Sequence, residues 1–233
     1  PFVKYCQLVP DANRLQEYIE VAARHALSGR PGVAVLGIPN GFQTQAIDYA
    51  EGINPTATLS PAPEPDAAAI TEAASLLAKA KRPLILAGSG AALSGAGAAL
   101  RKLTTAYNIP IFANALGRGL VPEDDNLSYS WPLANMSAGP ADVVLVLGMR
   151  LTQRMGYGLA PRFDKKAKFI QIDIEPEEIG RNQPIHLPIA SDARRAIELL
   201  HKALNKLKAK PKAQPRWINK GLKPRLARIA ELA

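Results

Sequence analysis

The sequence has 233 residues, of which 47% are hydrophobic, and a formal net charge of +9. This length allows one large domain, or one domain with fragments of others. No apolar run approaches the roughly 20 residues of a membrane span, and no signal peptide is visible. The single cysteine, Cys6, excludes an internal disulfide and fits a reducing compartment. We therefore expect a cytoplasmic protein without a membrane partner.

The positive charge belongs to the carboxyl-terminal segment. Ten Lys and Arg residues lie from Lys202 onward, against one acidic residue, Glu231. The remaining residues carry 19 basic and 19 acidic groups, so the body of the chain is neutral. Aromatic residues are absent from the segment apart from Trp217, which argues against a surface for single-stranded nucleic acid. We expect a solvated linker and no nucleic-acid partner.

The first 50 residues predict a helix and one short strand. Asp11 is placed to cap a helix whose apolar stripe ends near Ser28, and a short buried strand begins at Val33. These elements have too few neighbours to form a core. We interpret residues 1–50 as the end of a domain, and residues 51–65, which are rich in proline, as a stiff linker.

Residues 66–203 alternate between helical and strand patterns. Asp66 caps a helix, and another helix runs from Asp192 through Leu204. The remaining predictions are strands at 83–87, 109–113, 143–147 and 169–174, a turn at 88–90 and a helix at 97–107. Strands separated by helices indicate a parallel, doubly wound α/β sheet. Residues 204–233 are predicted to form a basic linker helix.

Gly88-Ser89-Gly90 follows a buried strand and precedes a helix. Such a turn either is purely structural or contacts a phosphate or ribose. The dinucleotide fingerprint requires a third glycine, where this chain has Leu93, and an acidic residue after the next strand, which is absent. The sequence therefore argues against an NAD site.

Two predicted strands end in a charged residue, at the sheet edge where α/β proteins bind ligands. Arg150 can grip a phosphate or stack on adenine, or it can form an ion pair inside the crossover. Asp173 can accept ribose hydroxyls, or it can cap the turn before Pro176. Asp192 is placed first to cap the last helix and second to contact a ligand.

The sequence contains no catalytic or metal-binding constellation that we recognise. His25, His186 and His201 are scattered, and no pair has metal-ligand spacing. Neither a nucleophile elbow nor a phosphate-binding loop of the Walker type is present. We therefore assign this chain no catalytic residue and no metal ligand.

Several motifs resemble those of one family and occur in the same order along the chain. Residues 28–39 resemble the end of the pyrimidine-binding domain of thiamine-diphosphate-dependent enzymes, and residues 81–91 resemble the start of their central domain. The later matching motifs lie at 108–113, 117–124, 147–151 and 170–174. Gly117-Arg-Gly-Leu-Val-Pro and Arg181-Asn-Gln-Pro-Ile are most similar to oxalyl-CoA decarboxylase and 2-hydroxyacyl-CoA lyase.

The resemblance implies a Rossmann-like central domain that binds ADP or the adenosine of CoA, or FAD in the acetolactate synthase branch. The residues that match nucleotide-contacting positions are Arg30, Gly88, Ser89, Arg150, Asp173, Ile174 and Asp192. Ser89 replaces a lysine favoured in the oxalyl-CoA branch, which removes one phosphate contact. The family's activating glutamate and its magnesium and diphosphate motif are expected outside this chain, which we interpret as a fragment.

These observations lead to three hypotheses. In the first, the parent is a thiamine-diphosphate- and Mg²⁺-dependent lyase or decarboxylase, a homodimer or homotetramer that acts on 2-oxoacyl- or 2-hydroxyacyl-CoA. Acetolactate-synthase-like chemistry on a 2-oxo acid, with FAD in the central domain, is the alternative within that class. The second hypothesis is a stand-alone module that binds adenine nucleotides. The third is a scaffold whose basic tail binds an anionic polymer.

Overall fold

The computed structural model describes residues 2–48, 61–129 and 140–212. The chain forms two compact units, Pro1–Ala62 and Pro63–Ala233. Most of the predicted linker at 51–65 and of the basic segment at 204–233 lies outside the described residues. Within the described ranges, no helix combines the length and the apolar character needed to cross a membrane.

The first unit is a β-α-β element. Strand β1 (Tyr5–Leu8) pairs in parallel with β2 (Ala34–Gly37), and helix α1 (Leu15–Leu27) connects them. Strand β1 is too short and too exposed to give an apolar pattern, so it was not predicted. Asp11 caps the 3-10 turn before α1 and not α1 itself, because its carboxylate accepts a hydrogen bond from the Asn13 amide.

The second unit is built on a six-stranded parallel sheet, which confirms the predicted α/β class. Its strands are β3 (Pro83–Ala87), β4 (Ile111–Ala113), β5 (Ser128–Tyr129), β6 (Val143–Leu147), β7 (Lys168–Asp173) and β8 (Leu187–Ala190). Their order across the sheet is β5-β4-β3-β6-β7-β8. Numbered from β3, this is the 3-2-1-4-5-6 order of dinucleotide-binding folds. The connections reverse direction between β3 and β6.

The described residues of this unit include the helices α2 (Ala67–Lys79), α3 (Ser89–Leu93), α4 (Gly97–Tyr107) and α5 (Ala193–Lys206). Asp66 caps α2 and Asp192 caps α5, each through a hydrogen bond from a backbone amide, as predicted. Helix α3 replaces most of the turn predicted at 88–90, since it begins at Ser89. Helix α5 runs two residues beyond the predicted end at Leu204.

Alternate strand residues point to opposite faces and form two cores. Ile85 and Leu145 contribute to the core that lies under α2, α4 and α5. Leu84 and Val144 face the other way and pack with residues of the segment after β6, including Met155 and Phe163. Burial on both faces explains why these strands read as continuous apolar runs.

Two strand predictions need correction. The strand predicted at 109–113 begins at Ile111, because Pro110 has no amide hydrogen to donate to the sheet. The strand predicted at 169–174 begins at Lys168 and ends at Asp173, so Ile174 lies just outside it. Strands β5 and β8 were not predicted, since β5 has only two residues and β8 contains Pro188.

Candidate functional site at the carboxyl edge of the sheet

The carboxyl ends of β3, β6 and β7 bring most of the sequence-predicted residues to one edge. The register pairs Ala87 of β3 with Leu147 of β6, and Leu147 with Ile172 of β7. Gly88 and Gly148 therefore follow directly on neighbouring strands, and Asp173 is the last residue of β7. Arg30 belongs to the first compact unit. Its backbone carbonyl accepts a hydrogen bond from Lys4 Nζ at 2.9 Å.

The turn after β3 packs backbone to backbone against the turn after β6. The Gly90 amide donates to the Gly148 carbonyl at 2.9 Å, and the Gly88 amide donates to the Leu147 carbonyl at 3.1 Å. A Cβ atom on Gly88 would lie 2.5 Å from the Gly148 oxygen. These contacts give Gly88 and Gly90 the structural role that the sequence left open. Ser89 begins α3 and is half-buried.

Gly148 is constrained by the same contact. Its φ is +51°, and a Cβ atom there would lie 2.5 Å from the Ala91 nitrogen. Both the left-handed backbone and the close approach require glycine. The two turns are thus locked together at the point where the strand order reverses.

Arg150 forms the ion pair that the sequence offered as its alternative role. Its Nη2 lies 2.8 Å from Glu178 Oε1, and its side chain remains 43% exposed. Arg181 Nη1 lies 3.0 Å from the same oxygen. Glu178 was not predicted as a site residue. Glu178 and Arg181 are only three residues apart, but no feature of the sequence links Glu178 to Arg150.

The two aspartates are largely buried at neighbouring strand ends. Asp173 Oδ1 accepts a hydrogen bond from the Glu175 amide at 3.0 Å, so it stabilises the turn that leads to Pro176. Asp192 Oδ1 accepts from the Arg195 amide at 2.9 Å. A carboxylate has two oxygens and about four lone-pair directions, so it can accept more than one hydrogen bond. Ile174, which follows Asp173, is half-buried.

Three further polar side chains that the sequence offers each have a local partner. The His25 ring stacks on Tyr5 with 4.7 Å between centroids, and the His201 ring packs edge-on against Tyr107. Asn114 stands after β4, where a dinucleotide site would use an acidic residue, and it accepts from the Ala115 amide. Among residues 2–48, 61–129 and 140–212, no three His, Cys, Asp or Glu side chains are grouped to hold a metal ion.

Residues 70–200 match the family model of the thiamine pyrophosphate enzyme central domain. A 2-hydroxyacyl-CoA lyase of Arabidopsis thaliana is 34% identical over 87% of this chain and 36% of its own length. An oxalyl-CoA decarboxylase of Escherichia coli is 34% identical over 82% of this chain and 34% of its own length. An acetolactate synthase of Arthrospira platensis is 30% identical over 84% of this chain and 36% of its own length.

A solved structure shares the fold. Benzoylformate decarboxylase from Polynucleobacter necessarius superposes with a TM-score of 0.70 and 20% identity, over 93% of this chain and 40% of that one. At this identity the likeness concerns the fold alone. This chain spans about a third of the length of the curated relatives named above.

Proposed function

Since the chain belongs to the thiamine pyrophosphate enzyme family through its central domain, we propose that it is the nucleotide-binding part of a carbon–carbon lyase or decarboxylase. The proposed substrate of the whole enzyme is a 2-hydroxyacyl- or 2-oxoacyl-CoA. Relatives named for such substrates, a 2-hydroxyacyl-CoA lyase and an oxalyl-CoA decarboxylase, support this choice. The proposed ligand of the central domain is ADP or the adenosine diphosphate portion of CoA.

The observation that carries the proposal is the strand order with its reversal between β3 and β6. Ligands of open α/β sheets bind beyond the carboxyl ends of the strands, at the point where the order reverses. The turn at Gly88 follows β3 and Arg150 follows β6, the two strands that flank this point, and Asp173 ends β7, the next strand of the sheet.

Each site residue has a proposed role that fits its chemistry. The exposed guanidinium of Arg150 would bind a phosphate, because it offers several donors in a fixed plane. Asp173 and Asp192 would accept the ribose hydroxyls, and Ile174 would pack against the base. Gly88 and Ser89 would border the phosphates. Arg30 is proposed as a nucleotide contact only because it matches a nucleotide-contacting position of the family.

The proposal assigns binding, and not bond cleavage, to this chain. Thiamine diphosphate supplies the carbanion chemistry in this family, and it is held together with Mg²⁺. The described residues bring together no cluster of metal ligands that fits this ion. We therefore derive no catalytic step from these side chains.

Calorimetric titration of the 233-residue chain with ADP, CoA and FAD tests the nucleotide proposal. We expect ADP and CoA to bind and Arg150→Ala to weaken both by about tenfold or more, since a charge-assisted hydrogen bond is lost. Lys168→Ala, at the opposite edge of the sheet, removes the same charge and should leave the affinity unchanged. Equal affinity of Arg150→Ala and wild type would contradict the proposal.

An acetolactate-synthase-like parent is the second candidate. The acetolactate synthase of Arthrospira platensis, 30% identical to this chain, favours it. In that case the same titration should show binding of FAD in preference to ADP and CoA.

A further inference from the structure

Two guanidinium groups converge on a single oxygen at the carboxyl edge of the sheet. Glu178 Oε1 lies 2.8 Å from Arg150 Nη2 and 3.0 Å from Arg181 Nη1. The Glu178 side chain is only 10% exposed, whereas the two arginine side chains are 43% and 60% exposed. The carboxylate thus occupies the inner end of a doubly cationic site whose outer side faces solvent.

The surrounding backbone holds this cluster in place. Gln171 lies within β7 and is 2% exposed. Its side-chain amide donates to the Glu178 carbonyl at 3.2 Å and accepts from the Gly180 amide at 3.1 Å. Asn182 donates to the Leu151 carbonyl at 2.8 Å, which ties the segment carrying Arg181 to the segment carrying Arg150.

A small depression lies beside Arg181 and Glu178, and Arg150 is not among the residues that line it. Leu151, Gln171, Glu178, Arg181 and Asn182 contribute to its wall, together with Gln183. The Gln183 side-chain nitrogen is buried and has no hydrogen-bond partner within the described part of the chain. Buried donors normally find an acceptor. An anion bound beside Arg181 would supply acceptor oxygens close to this donor.

We propose that Arg150 and Arg181 together form the phosphate-binding site, and that Glu178 occupies it as a competing internal anion when no nucleotide is bound. This inference rests on the proposed nucleotide function and adds to it a second cationic residue and a means of setting the affinity. A phosphate carries more charge than a carboxylate and offers three oxygens, so it can bind both guanidinium groups at once. The carboxylate must leave the guanidinium groups before the phosphate enters.

Substitution of Glu178 gives the opposite result from substitution of an ordinary ligand. Glu178→Gln removes the competing charge, so we expect the Kd for ADP to fall by about tenfold, which corresponds to about 1.4 kcal/mol. Arg181→Ala should raise that Kd. Glu177→Gln is the matched control, because Glu177 is an exposed residue of the same turn and its substitution changes the net charge equally.

The titration is repeated with adenosine, which has no phosphate, and its affinity should be the same for wild type and Glu178→Gln. An ADP affinity that Glu178→Gln leaves unchanged or weakens would overturn the inference, as would an equal gain in Glu177→Gln or with adenosine. Far-ultraviolet circular dichroism checks that each variant is folded. The nucleotide function itself is tested separately, by comparing the ADP affinity of the wild type with that of Arg150→Ala.

Discussion

Replacing Gly148 with alanine measures how tightly the turns after β3 and β6 are locked together. The substitution has two costs. A φ of +51° is unfavourable for a residue with a Cβ atom, by roughly 1–2 kcal/mol. The new Cβ atom would lie 2.5 Å from the Ala91 nitrogen and 2.6 Å from the Gly90 carbonyl carbon, so backbone must move, at about 1–3 kcal/mol. We expect a total loss of about 2–5 kcal/mol in the free energy of unfolding.

Two further glycines separate these costs. Gly95 has a φ of +69°, but a Cβ atom there would meet nothing within 4 Å. Gly95→Ala should therefore cost only the conformational part, about 1–2 kcal/mol. Gly88 has a φ of −116°, and its Cβ atom would lie 2.5 Å from the Gly148 oxygen. Gly88→Ala should cost only the steric part, about 1–3 kcal/mol.

The assay is urea unfolding followed by far-ultraviolet circular dichroism, with linear extrapolation to water. The expected order of stability is wild type, then the two single-cost variants, then Gly148→Ala. A Gly148→Ala protein that loses no more stability than Gly95→Ala would refute the reasoning, because the close contact between the turns would then cost nothing.

Substitutions at Asp66 and at Tyr107 test two further contacts. Asp66→Ala should lower the free energy of unfolding by about 1 kcal/mol, because Asp66 accepts a hydrogen bond from the Ala69 amide at 2.8 Å and caps α2. Asp66→Asn should keep most of this stability. An equal loss in both variants, measured by urea unfolding, would argue against capping. Burial raises the pKa of Tyr107, whose hydroxyl donates to Asn205 at 2.6 Å. A raised pKa means that this residue stabilises the fold below pH 10 and loses that contribution as the pH rises above it. Tyr107→Phe should therefore be less stable than wild type at pH 7 and lose less stability above pH 10; parallel pH profiles would contradict this.

Several features of the chain were predictable because they depend on local chemistry. The strands at Pro83–Ala87 and Val143–Leu147 and the helix at Gly97–Tyr107 have the predicted bounds. Each has a continuous apolar run or a single apolar stripe. The family resemblance was also confirmed by the match of residues 70–200. The domain boundaries predicted after residues 50, 65 and 203 remain a prediction.

The sequence by itself determined the α/β class, the caps at Asp66 and Asp192, and the charged residues at the ends of β6 and β7, because all of these depend on neighbours along the chain. Only the tertiary structure decided what Arg150 contacts. Its partner Glu178 is 28 positions away in the sequence and reaches it because parallel strands end at one edge. The same holds for Gly88, Gly90 and Gly148. Their need for glycine arises where two turns, distant in sequence, meet backbone to backbone.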